Sequence, residues 1–209
     1  MIGIIVADSN EINKFEFDIV KNIKINQFEF NIYKIKDKEV VVVHSGIGIA
    51  NAAAATQELI SSFKVEEIIN YGAVGGDNTV DVFDIITPEK IYYHDVITPW
   101  YKRGQTPGEL EYYKNNLQLD NNNNLASGSS FLSTHESMEE IKKEINANIF
   151  DMETAGIAQI AFKNNVPLKV VKCVSDSIGK DSRELGDINK RIEEAGKKAF
   201  KVIINNILL

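Results

Sequence analysis

Short β-branched runs recur along the chain, and between them apolar residues spread to helical spacing. Residues 2–7 (IGIIVA) show no alternation, which predicts a strand buried on both faces. Further strands are expected at 28–34, 39–44 (EVVVVH), 66–71 (EEIINY) and 167–174 (PLKVVKCV), with the fourth of these five stopping at Gly72. Residues 84–92 read as extended and 147–150 (ANIF) as a brief strand. Helices are expected at 51–63, 133–146, 153–164 and from about Asp187 onward, where Ile188, Ile192, Ala195, Ala199 and Val202 recur at helical spacing. Ser133 with Glu136 three residues on has the form of a capping box. Strands alternating with helices predict an α/β layered fold with a largely parallel sheet. Residues 104–124 are the least regular, and Asn121–Asn124 form a polar tract with nothing to bury, read as surface loop. No repeat or linker divides residues 1–209, so one domain is expected.

Composition narrows the partners. Acids outnumber bases 30 to 23, net charge is −7, and arginine occurs only at 103, 183 and 191. So little arginine on an acidic chain argues against nucleic acid. No apolar run approaches the ~18 residues of a membrane span, and the N-terminus carries no basic region ahead of an apolar core. The single Cys173 allows no internal disulfide. A cytoplasmic setting and a small-molecule partner are the expectation.

Polar residues then collect where strands end. Glu11 follows the first strand, SGIGIA the EVVVVH run, GAVGG the EEIINY run, DMET the ANIF segment and SDS the PLKVVKCV run. Ligands of open α/β sheets bind outside the carboxyl ends of parallel strands. Each feature has a structural alternative: Glu11 and Glu153 as first-turn acids, Asp176 as a turn or cap residue, and Gly46, Gly48, Gly72, Gly75 and Gly76 as turn or packing positions. A sheet edge has no structural need of three acids together, which favours a site. Other motifs fail. SGIGIAN carries Asn51 where a dinucleotide fingerprint needs Gly or Ala, no phosphate loop is present, and Glu139 stands where HExxH needs its second histidine. One cysteine and the scattered His44, His94 and His135 make neither a metal nor a cofactor site. Ser45 and Ser127 lack a hydrolase elbow. His94 is expected to make a structural hydrogen bond.

Separated carboxyls suit cleavage of a bond to a sugar C1, where one acid protonates the leaving group, one activates water and one holds the ribose. The segments MIGIIVADSNEI, VVVHSGIGIANAAAA, EEIINYGAVGG, DIITPEKIYYHDV, SGSSFLS, FDMETAGIA and VVKCVSDS, in this order, resemble the 5′-methylthioadenosine/S-adenosylhomocysteine nucleosidases of the purine nucleoside phosphorylase/uridine phosphorylase superfamily. The resemblance spans nearly the whole chain. It implies a three-layer αβα sandwich with a mostly parallel mixed sheet. It also implies hydrolysis of methylthioadenosine and S-adenosylhomocysteine to adenine and a thioribose, as in methionine salvage. By the same resemblance Glu11 activates water and Asp176 protonates purine N7, with Ser175 beside it bonding the base. Met152 and Glu153 hold the ribose, and Asp151 stands where the family usually has Glu. Val74 and Gly75 lie along the nucleoside, Phe131 stacks on adenine, Leu132 reads its edge and Ile47 walls the alkylthio pocket. Departures are Ala73 for a common Ser, Lys172 for a common Arg, and no closing aromatic in SIGKDSRELGD after Asp176.

Phosphorylases of this superfamily hold phosphate with arginines near the first strand and before the glycine turn. Here Lys14 is the only base near the first strand, and Asn70 and Tyr71 precede Gly72, so water is favoured as attacker. The alternatives are a phosphate-dependent nucleoside phosphorylase and a nucleoside-binding protein without catalysis. Related enzymes are dimers in which a loop closes the partner's pocket. Residues 97–108, with Trp100, Tyr101 and Pro107, are the matching region, and a plain surface loop is the other reading.

Overall fold

The computed structural model describes residues 1–8, 11, 17–117, 122–180 and 187–208. Strand β1 (Ile2–Val6) lies between β4 (Lys38–His44) and β5 (Glu67–Gly76), parallel to both, and β11 (Leu168–Ser177) runs parallel to β5 on its other side. These central strands are covered on both faces, which is why their apolar runs do not alternate. One edge is extended antiparallel by β3 (Phe28–Ile35) and β2 (Ile19–Ile25). The sheet continues from the end of β5 through β10 (Ile149–Asp151), β9 (Leu125–Ser127), β7 (Lys90–Tyr93) and β8 (Tyr113–Lys114), while the short β6 (Ile85–Ile86) pairs with β11.

Helices α1 (Ile49–Phe63) and α3 (Thr154–Lys163) cover one face, burying Ala52, Ala55, Leu59, Ala155 and Ile157 in its core. On the opposite face α4 (Ile188–Ile203) buries Ala195, Ala199 and Ile203 against Ile4, Tyr71 and Val171. The result is the expected αβα sandwich around a mixed sheet. A smaller cluster joins Met138 and Ile141 of α2 (His135–Lys142) to Phe150 and Ile178 at the ends of two strands. Among the described residues, no helix is long and apolar enough to cross a membrane.

Several elements differ from the sequence reading, each for a local reason. β5 does not stop at Gly72 but runs through GAVGG to Gly76. Those glycines are strand residues stripped of side chains, because neighbours occupy the space: a Cβ on Gly76 would lie 2.6 Å from Val80 and one on Gly72 2.6 Å from Glu11 Oε1. β11 likewise runs on through Ser175–Ser177. Helix α2 is capped by Thr134, which accepts from Ser137 N at 3.2 Å, so Ser133 and Glu136 form no capping box. It ends at Lys142, whose ammonium reaches back 2.5 Å to the buried Asp77. β2 was not expected; its residues are mostly exposed, so no buried face marks it in the sequence. The asparagine tract is not all surface: Asn124 is buried, accepting from Lys90 N at 3.2 Å and donating to the Asn146 carbonyl at 2.8 Å. Asn115 does the same for Val170, its amide bonding both N–H and C=O of that residue at 2.9 and 3.0 Å. An asparagine side chain has the donor and acceptor of a peptide group, so it can be buried as a substitute rung of the sheet.

Candidate active site

The ends of β1, β5, β10 and β11 open on one cavity of about 310 Å³. Glu11 lies at its base, only 5% exposed. Ala73 N donates to Oε1, and Asp8 N donates to Oε2 at 3.1 Å. The carboxyl fits over β5 because Gly72 has no side chain, and α4 closes on the Glu11 backbone because a Cβ on Gly196 would sit 2.8 Å from its Cα. Burial pushes the Glu11 carboxyl above its ordinary range, while the Lys172 ammonium and the two amides pull the other way.

The two acids of FDMET have separate tasks. Asp151 Oδ1 accepts from Glu153 N and Thr154 N, both at 3.3 Å, so Asp151 provides the side-chain cap at the start of α3. Ser127 Oγ donates to it at 2.5 Å, Thr154 Oγ1 donates to Oδ2, and Lys172 Nζ stands 3.0 Å from Oδ2. Burial works against ionisation, but Lys172 and these hydroxyls outweigh it and hold Asp151 below the usual carboxylate range. The residue forms part of the cavity wall, yet its carboxylate is committed to the protein. Glu153 occupies the N-cap position with no side-chain cap bond. Its carboxyl instead accepts from Gly48 N at 2.8 Å and Met152 N at 3.1 Å and faces the cavity. Burial first, then the neighbouring Asp151 charge, pushes it up to about 7.

Asp176 reaches the cavity through an irregularity. The register of β11 on β5 shifts between Val174 and Asp176, leaving Ser175 as the extra residue of a bulge. A bulge re-aims the side chain that follows it. Ser175 Oγ lies 2.7 Å from Asp176 Oδ1 and 3.2 Å from the Val74 carbonyl oxygen, so the hydroxyl tethers the carboxyl to β5. Burial raises the Asp176 carboxyl; the Ser175 hydroxyl and the nearby Arg191 charge oppose it.

The structure therefore brings Glu11, Glu153 and Asp176 to one cavity, as the spacing of strand ends suggested. Met152, Val74, Gly75, Leu132 and Ser175 line it too, with Phe131 and Ile47 on its open side. Phe131 is 71% exposed and Ile47 55%. Sequence reasoning missed Asp8, Ile188 and Ile192 as wall residues. The helical spacing of the two isoleucines gave only their face, and that face meets the cavity. Lys172, in the sequence only a departure from a common Arg, is 3% exposed and lies outside the cavity lining, paired with Asp151. Its signal was a lysine in the middle of the apolar VVKCV run, since buried lysines need a partner. The His94 expectation fails for its ring: its backbone is bonded to Ser127 and Arg103, but Nε2 has no partner among the described residues. The imidazole packs on Gly128, and burial lowers its pKa, keeping it neutral. Lys14 and residues 181–186 of the SIGKDSRELGD segment lie outside the described residues.

The Phosphorylase superfamily model matches residues 1–121 and 124–208. A 5′-methylthioadenosine/S-adenosylhomocysteine nucleosidase of Buchnera aphidicola is 32% identical, across 99% of this chain and 98% of its own. One from Staphylococcus aureus is 34% identical over 84% of this chain and 86% of its own. The S. pneumoniae enzyme of that name, solved with the transition-state inhibitor MT-ImmA, superposes with a TM-score of 0.88 at 28% identity, covering 97% of this chain and 96% of its own. The chain belongs to the phosphorylase superfamily and, within it, to the 5′-methylthioadenosine/S-adenosylhomocysteine nucleosidases.

Proposed function

We propose that the chain hydrolyses the N-glycosidic bond of 5′-methylthioadenosine and S-adenosylhomocysteine, releasing adenine and the corresponding thioribose. The observation that carries this reading is the charge of the cavity. Its wall includes Asp8, Glu11, Asp151, Glu153 and Asp176, and among the described residues no lysine or arginine lines it. A phosphate dianion needs cationic, preferably bidentate donors. The strand positions ahead of Gly72 offer none: Asn70 Nδ2 donates to the Ile5 carbonyl at 3.0 Å, and Tyr71 is buried beside Glu11. Water needs only a base, and Glu11 supplies one.

In this mechanism the water oxygen bonds to C1′ and gives its proton to ionised Glu11. The C1′–N9 bond breaks with its electron pair passing to the purine, and Asp176 protonates N7. Burial serves Asp176 directly, because a raised pKa keeps the proton on the acid to higher pH. Glu11 needs its proton removed: burial raises this carboxyl as well, but the Lys172 charge and the Ala73 and Asp8 amides oppose it, more groups favouring the ionised form than at Asp176. Ionised Glu153 accepts from the ribose hydroxyls and lends negative charge to the oxocarbenium-like transition state. Met152 packs on the sugar, Val74 and Gly75 pass along the nucleoside, and Phe131 and Leu132 receive the adenine, with Ile47 toward the alkylthio end. No cofactor or metal enters these steps.

The same reading makes the protein a homodimer. Ile97 and Trp100 are 75% and 88% exposed in the 97–108 loop, an apolar display suited to covering a partner's open pocket. A reducing cytoplasm is the proposed setting, in keeping with the lone, buried Cys173. Adenine release from methylthioadenosine, measured with and without inorganic phosphate, tests the proposal. Equal rates support it; release only with phosphate makes the chain a phosphorylase, and tight binding without release makes it a binding protein.

A further inference from the structure

Arg191 is 9% exposed, on the face of α4 turned toward the strand end that carries Asp176. Its Nε donates to the Ser175 carbonyl at 2.9 Å. Among the described residues, both terminal nitrogens are buried with no hydrogen-bond partner. A buried guanidinium with two bare nitrogens is costly, and such a group calls for an explanation beyond packing.

The bond to Ser175 supplies one. Ser175 is the bulged residue of β11, and a bulge leaves the extra residue outside the regular ladder. Arg191 satisfies its carbonyl from the helix side, while the hydroxyl of the same residue holds Asp176 from the sheet side. We propose that Arg191 is a positioning residue for Asp176: its Nε anchors the bulge that aims the carboxyl into the cavity, and its charge bears on that carboxyl from behind.

The other charged groups around Asp176 are placed differently. Asp8 and Glu11 from the end of β1 and Glu153 from the start of α3 share the cavity, and all are acids. Lys172, on the same strand, is paired with Asp151. Arg191 is thus the cation whose field opposes the desolvation of Asp176. A buried acid without that opposition would bind its proton too tightly to release it to N7. The inference rests on the proposed role of Asp176 as proton donor.

The test separates the two. In the full-length protein carrying ¹³C-carboxyl aspartate, the Asp176 signal is identified by its loss in Asp176→Asn and titrated in wild type, Arg191→Gln and Arg191→Lys. Gln removes the charge and can still donate to the Ser175 carbonyl; Lys keeps the charge and loses the planar fork. Arg191→Gln is expected to raise the Asp176 midpoint by about half a pH unit or more and to move the alkaline limb of kcat the same way. Arg191→Lys is expected to keep the wild-type midpoint while kcat falls by about tenfold at unchanged KM, since a misaimed acid loses transition-state contact alone. An unmoved midpoint in folded Arg191→Gln overturns the charge role, and an unchanged kcat in Arg191→Lys overturns the anchor. The titration needs no turnover. Wild type that releases no adenine while the midpoint still moves defeats the proposed reaction and leaves the Arg191–Asp176 link standing.

Discussion

At the base of the cavity the carboxyls of Glu11, Glu153 and Asp176 each have named protein partners, whereas on its open side Phe131 and Ile47 leave more than half their surface to solvent. The first group is fixed by strand ends, a glycine strand and a bulge. The second sits on loops and a helix entrance with little packed against it. Chemistry needs groups held in place before substrate arrives, while a base-stacking wall gains its contacts from the ligand itself. Substitutions at the base should therefore change rate or stability, and those at the open side affinity.

The largest effect is expected from the proton-handling pair. Glu11→Gln and Asp176→Asn should each lower kcat by about 10²–10⁴-fold, with melting temperatures near wild type, because each replacement relieves a buried acid. Unchanged kcat in either variant removes that residue from the mechanism.

Lys172→Met comes next and acts on stability. Lys172 and Asp151 are both 3% exposed and 3.0 Å apart. Removing the cation strands a buried carboxylate, which should cost about 3–5 kcal/mol in denaturant unfolding. A loss under ~1 kcal/mol would show that the Ser127, Thr154 and helix-start bonds suffice alone.

Glu153→Gln should alter the dependence on pH. The folded Glu153 carboxyl is raised from an ordinary 4.5 to about 7. A raised folded pKa means that the stabilisation is complete below the unfolded value and is lost as pH rises through the folded one. Wild type should lose up to about 3 kcal/mol from this group between pH 4.5 and 8, and Glu153→Gln should lose none of it. Parallel stability–pH curves for the two proteins would contradict this account. Substrate affinity should move oppositely, strengthening as pH rises through about 7, because the ionised form accepts the ribose hydroxyls.

The smallest structural effect belongs to Phe131→Ala. Stability should change by about 0.5 kcal/mol or less, while KM rises about tenfold through lost stacking on the base. A fall in kcat with KM unchanged would mean that Phe131 also shapes the base of the cavity.

Much of this division was legible in the sequence. Apolar runs located the central strands, and acids just beyond them marked Glu11, Glu153 and Asp176. What stayed hidden depends on tertiary proximity. GAVGG looks like a turn until Glu11, Ile178 and Val80 are seen to occupy the space of the missing side chains at Gly72, Gly75 and Gly76. Asp151 and Glu153 look alike two residues apart, and only Lys172 on one side and Gly48 on the other separate the cap from the site. Nothing local marks Asn115 and Asn124 as buried rungs of a sheet, because the backbone groups they satisfy come from distant segments. Arg191 reads as an ordinary polar position on an amphipathic helix until β11 bulges beneath it.

The central claim, that an acidic cavity directs water at C1′, is tested most directly by turnover of methylthioadenosine in H₂¹⁸O containing inorganic phosphate. The account predicts one ¹⁸O at C1 of the thioribose and the same initial rate of adenine release when phosphate is omitted. Recovery of a thioribose 1-phosphate, with release that stops without phosphate, would contradict it.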